Sequence, residues 1–141
     1  MYTSSRSGKR ENMQYQEFVN RVNEQIHTEG PGDAELAIQA TLATLGERIS
    51  GGEAENLAAQ LPAELQTQLE SGNYNENAEA FSLDEFYLRV AEREGETSPD
   101  TAVEHARTVM EQLTRGVSGG ELADIQRQLP EEFEPLFNKR S

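Results

Sequence analysis

A step of 68 residues, from Ser50 to Ser118, lays one half of this chain onto the other without a gap. It carries Ser50-Gly51-Gly52-Glu53 onto Ser118-Gly119-Gly120-Glu121, Gln60-Leu61-Pro62 onto Gln128-Leu129-Pro130, and Glu17-Phe18 onto Glu85-Phe86. Of the 55 positions from Tyr15 to Leu69, 16 are identical to their partners, against roughly one in fifteen for unrelated segments. Several mismatches also keep volume and polarity: Leu42 with Met110, Ile49 with Val117, Leu57 with Ile125, Leu65 with Phe133 and Leu69 with Phe137. Such a chain folds one unit twice. A unit of this size has little core of its own, so the two copies are expected to share one.

The apolar spacing says what the unit is. Tyr15, Phe18, Val19, Val22 and Ile26 recur at helical intervals and predict a helix from Tyr15 to about Thr28, with Gly30-Pro31-Gly32 as its breaker. Ala34, Ile38, Leu42, Leu45 and Ile49 mark a second helix, stopped at Ser50-Gly51-Gly52, where glycine is expected to adopt the left-handed conformation of a helix end. Ser50 and Glu53 also read as a capping box for a short third helix carrying Leu57 and Leu61. Pro62, fitted to a first helical position, opens a fourth that buries Leu65 and Leu69.

The second copy repeats the order. Ser82-Leu83-Asp84-Glu85 is another capping box, Ser98-Pro99 opens a long helix, and Leu122, Ile125, Leu129, Phe133 and Phe137 complete the apolar set. The expected fold class is all-α, with two tandem four-helix repeats packed as one pseudo-two-fold helical bundle. The units are a disordered tail at 1–13, a first repeat at 14–70, a linker at 71–81 and a second repeat at 82–138. Leu45, Leu61, Leu113 and Leu129, identical in both copies and on apolar faces, are expected to be buried.

A net charge of -14, carried mostly by Glu and with Lys only at Lys9 and Lys139, fits either a solvated helical surface or adaptation to a salty cytoplasm. A field of that sign repels phosphate backbones, and no basic stripe opposes it, so nucleic acid is not an expected partner. The absence of cysteine excludes disulfides, thiol catalysis and Cys-based zinc sites. No apolar run reaches the roughly 18 residues of a membrane span, and no signal peptide is visible; no membrane partner and a cytoplasmic location are expected.

No motif carries catalytic chemistry. The Ser-Gly-Gly-Glu turns resemble anion cradles only loosely, because a phosphate loop carries a cation where these carry Glu, and they read as helix punctuation. Glu17 with Arg21 and Glu85 with Arg89 are helix pairs four apart, too weak alone to explain their retention. The arginines are therefore expected to reach the carbonyls at the end of another helix. His27 and His105 are not repeat partners and lack metal-binding spacing; His105 reads as a boundary residue with a hydrogen bond. No calcium loop or nucleophile elbow occurs. No catalytic, cofactor-binding or metal residue is assigned, and no cofactor is expected.

The run Ile49-Ser50-Gly51-Gly52-Glu53-Ala54-Glu55-Asn56-Leu57-Ala58-Ala59-Gln60-Leu61-Pro62 resembles the signature of the prokaryotic DUF2267 family, a domain of unknown function, and the second copy, Val117 to Pro130, is similar but replaces Ala58-Ala59 by Gln126-Arg127. The resemblance covers about Tyr15 to Phe137. It implies an all-helical cytoplasmic protein of bacteria or archaea and transfers no activity. The expected function is a non-enzymatic protein-interaction or stress-associated adaptor module, with a protein partner or self-association. The alternative is small-ligand binding in a crevice between the repeats, where the copies differ most: Ala37 against His105, Gly46 against Thr114, and Arg48 against Gly116.

Overall fold

The computed structural model describes residues 14–26, 31–73, 78–95 and 98–137. Among these the chain is all-α. The helices are α1 (Tyr15–Gln25), α2 (Pro31–Arg48), α3 (Gly51–Ala58), α4 (Ala63–Gly72), α5 (Leu83–Arg93), α6 (Pro99–Gly116), α7 (Gly119–Gln128) and α8 (Glu134–Phe137), with a 3-10 turn at Glu131–Phe133. The expected tail at 1–13, and His27, lie outside the described residues.

Local chemistry sets most boundaries. Ser50, Ser82, Ser98 and Ser118 each cap a helix by accepting the backbone N-H three residues on, and Pro99 follows Ser98 as the first helical residue. Several boundaries differ from expectation. Pro31 and Gly32 form the first turn of α2 rather than a break, a position where a missing N-H costs nothing. Pro62 is the N-cap of α4, one residue before the helix. Gly51, Gly52, Gly119 and Gly120 are helical N-terminal residues, and among the described residues only Gly95 has a positive φ, at 90°.

The long helices α2 and α6 occupy the centre. α2 packs against α1, α4, α5 and α6, while α6 packs against α1, α2, α5 and α8. Neighbours on several sides explain why α2 is buried around most of its circumference from Ala40 to Gly46, well beyond the single face read from its larger residues. Leu45, Leu61, Leu113 and Leu129 are all buried, as their recurrence implies. Phe86 meets Phe133 edge-on at 6.1 Å, joining α5 to the C-terminal turn.

The fourth element differs most between the copies. In the first it is a ten-residue helix laid closely along α2, and in the second a 3-10 turn followed by the four-residue α8. Glycine permits the close approach: a Cβ on Gly46 would lie 2.2 Å from the Leu69 carbonyl oxygen, and one on Gly72 1.8 Å from that of Ala43. Ser71 and Gly72, assigned to the linker, thus complete α4. Asn73 then donates to the carbonyls of Gly46 at 2.6 Å and Ile49 at 2.9 Å, tying the end of α4 to the end of α2.

Gly72→Ala should destabilise the chain by about 1–3 kcal/mol or more, because the added methyl meets backbone that cannot rotate away. Leu113→Ala should cost roughly 2–5 kcal/mol. Chemical denaturation measures both. A Gly72→Ala chain as stable as the native one would show that α2 and α4 are not in this contact.

Candidate functional site

The two Ser-Gly-Gly-Glu turns come together, and the two Gln-Leu-Pro segments cross between them. Ser50 donates its backbone N-H to Gln128 Oε1 at 3.0 Å, and Gln128 Nε2 donates to Ser50 Oγ at 3.1 Å. The same exchange runs the other way: Ser118 N-H to Gln60 Oε1 at 2.8 Å, and Gln60 Nε2 to Ser118 Oγ at 3.2 Å. Each serine also accepts the N-H of its own Glu53 or Glu121. In a capping box the glutamate side chain would reach back to the serine N-H. Here a glutamine from the opposite repeat takes that N-H.

The displaced glutamates consequently face each other. Glu53 and Glu121 are 9% and 7% exposed, and Oε2 of each is buried without a hydrogen-bond partner. Asp124, on the next turn of α7, brings a third carboxylate: one oxygen from each of the three lies within 4.8 Å of the others. Burial, then the Glu53 carboxyl beside it and the charge of Asp124, push the Glu121 carboxyl up to about 8. Asp124 pairs with Arg127.

A second feature lies between α2 and α4. Leu36, Gln39, Ala40 and Ala43 of α2, Thr67, Gln68 and Ser71 of α4, and Arg93 of α5 line a crevice of about 310 Å³. Arg93 is held by Glu47 at 2.7 Å and by Thr44 Oγ1 at 2.9 Å, which places a guanidinium from the second repeat at the edge of a groove made by the first. Gln68 Oε1 is buried and has no partner.

The repeated Glu/Arg pairs part company. Arg89 bonds to Glu85 at 2.9 Å, then reaches Glu47 at 3.0 Å and Glu79 at 3.1 Å, and stacks 3.9 Å from the Phe81 ring centre. Its distant partners are carboxylates rather than helix-end carbonyls. Arg21 closes no such pair among the described residues. Burial opposes ionisation of Glu47, but hydrogen bonds from Arg93 and Arg89 outweigh it and hold the carboxyl below its ordinary range. The reach to a carbonyl belongs instead to the buried Arg48, which donates to Phe81 O at 2.9 Å.

His105 is buried with Nδ1 2.6 Å from Glu94 Oε2, a histidine held by a hydrogen bond. Of the positions where the copies differ most, Ala37, His105, Gly46, Arg48 and Gly116 are buried and Thr114 bonds to Glu111 O, so none of them lines the crevice beside α4. The carboxylate centre was not legible from the sequence, since it depends on which turns meet. Identity of both turns and both glutamines across the copies was the available signal.

A family model described as an uncharacterized conserved protein, DUF2267, matches residues 15–136. No curated protein matches the chain.

The raised Glu121 value fixes the sign of a pH effect. The unfolded chain releases this proton near 4.5 and the folded one near 8, so the group contributes most stability below pH 4.5 and loses it as pH rises to about 8. In buffer containing EDTA, Glu121→Gln should raise stability at pH 8 by about 1–3 kcal/mol and flatten the decline between pH 5 and 8. Denaturation across that range checks this. A variant with the native slope would place the titration elsewhere.

Proposed function

The chain belongs to the DUF2267 family, and on that premise we propose that it acts by binding rather than by catalysis, taking a small ligand into the crevice between α2, α4 and Arg93. The observation that carries this reading is a concave surface on which polar groups from both repeats converge. Leu36, Ala40 and Ala43 supply an apolar wall, while Gln39, Thr67, Gln68, Ser71 and Arg93 supply hydrogen-bonding groups. The chemistry suits a small molecule with a short apolar portion, hydrogen-bonding groups for Gln39 and Ser71 and an acidic or carbonyl group for Arg93. The sequence adds its own support, lacking cysteine and any nucleophile or phosphate-loop motif.

Docking of a protein partner is the second reading. Leu36 and Leu88, at 38% and 50%, are the exposed large apolar side chains among the described residues, and two scattered leucines are less than an extended interface normally offers. Leu36 does line the crevice, so a partner could anchor one apolar side chain there.

Affinity purification of the native chain and of Ser71→Trp from the source cells, with mass spectrometry of retained proteins and small molecules, tests both. Ser71 is exposed and helical, so the indole should fill the crevice without disturbing the core. The expected result is a small molecule released by the native chain and lost from Ser71→Trp, with similar melting curves. A protein retained equally by both, with no small molecule on either, would overturn the crevice reading.

A further inference from the structure

Among the described residues most acidic side chains lie in water or against arginine, but Glu53 and Glu121 do neither. They are nine-tenths buried, neither forms an ion pair among the described residues, and the Oε2 atom of each is sealed from solvent without a hydrogen-bond donor. Two carboxyls in such a place are costly unless they share a proton, as the contact between Glu53 and Glu121 allows, or a positive charge joins them. One carboxylate oxygen from each of Glu53, Glu121 and Asp124 lies within 4.8 Å of the other two.

We propose that Glu53, Glu121 and Asp124 bind one hard divalent cation, of which Ca²⁺ fits best, at the contact between α3 and α7. Three carboxylates form an all-oxygen donor set, which selects Ca²⁺, Mg²⁺ or Mn²⁺ over metals that favour nitrogen and sulfur. Calcium bonds of about 2.3–2.6 Å let one ion span oxygens up to about 5 Å apart, whereas Mg²⁺, at about 2.1 Å, requires tighter octahedral placement. Asp124 is half-exposed, with 43% of its side chain accessible, and leaves a side on which water completes the shell. Its partner Arg127 is 68% exposed and can turn into solvent as the ion arrives.

The ion would neutralise the two glutamates that the glutamine exchange sets face to face, one from each repeat. It would act as a clamp between the repeats, at a site separate from the crevice and independent of what the crevice holds.

The test uses the full chain stripped with EDTA and titrated at pH 7.5 with CaCl₂, MgCl₂ or MnCl₂ in 0.2 M NaCl, where general screening of the acidic surface is already largely in place. Calorimetry should give one Ca²⁺ per chain, with a rise in melting temperature that saturates with occupancy. Glu53→Gln/Glu121→Gln keeps the shapes, removes the repulsion and should fold in EDTA at least as stably as the native chain, but should lose the Ca²⁺-dependent rise. Asp124→Asn, at a half-exposed position, should weaken binding at least tenfold. No saturable binding to the native chain would overturn the site. So would binding that survives unchanged in Asp124→Asn or in the double variant.

Discussion

The four hydrogen bonds exchanged between Ser50 and Gln128, and between Ser118 and Gln60, are the constraint on which the rest of the junction depends. They satisfy a backbone N-H at the start of α3 with a side chain 78 residues away, and one at the start of α7 with a side chain 58 residues away. A helix N-terminus ordinarily finds that partner within its own turn. Because each cap is completed by the opposite repeat, neither turn is fully satisfied alone. Ser50 and Gln60 correspond to the identical Ser118 and Gln128 in the sequence, so each serine N-H meets the same kind of acceptor.

From this exchange the chemistry of the junction unfolds. Once glutamine holds the serine N-H, Glu53 and Glu121 have no capping role for their carboxylates, and the turns bring them together in a buried place. Another contact between the halves has the opposite electrostatic character. At the Arg89 and Arg93 end of α5, Glu47 receives both guanidiniums and Arg89 lies over Phe81, so charge there is paired and partly open to water. One contact is held by paired charges. The other concentrates unpaired negative charge.

Helix existence and the inward faces were legible in the sequence, because apolar residues at helical spacing and Ser-x-x-Glu caps act locally. The circumferential burial of α2 was not, since Ala40, Thr41 and Thr44 are small and only the packing of several neighbours encloses them. The position of α4 was equally hidden: Gly46 and Gly72 mattered through the backbone each lies against. Glu85 with Arg89 could be read as a helix pair, but the links to Glu47 and Glu79 depend on tertiary placement. For the Ser-Gly-Gly-Glu turns, helix punctuation was half of the answer. The remainder required knowing that one turn meets the other, and the guanidinium at the edge of the crevice beside α4 likewise comes from the second half of the chain.

Amide hydrogen exchange at single residues tests the glutamine exchange most directly. Gln128→Ala should leave the fold intact yet accelerate exchange at the Ser50 amide, in the other repeat, while Ser118 keeps its protection through Gln60. The mirror variant Gln60→Ala should expose Ser118 and spare Ser50. If Ser50 remains equally protected in Gln128→Ala, or if each variant affects only the turn in its own repeat, the repeats do not complete each other's caps and the account of the junction fails.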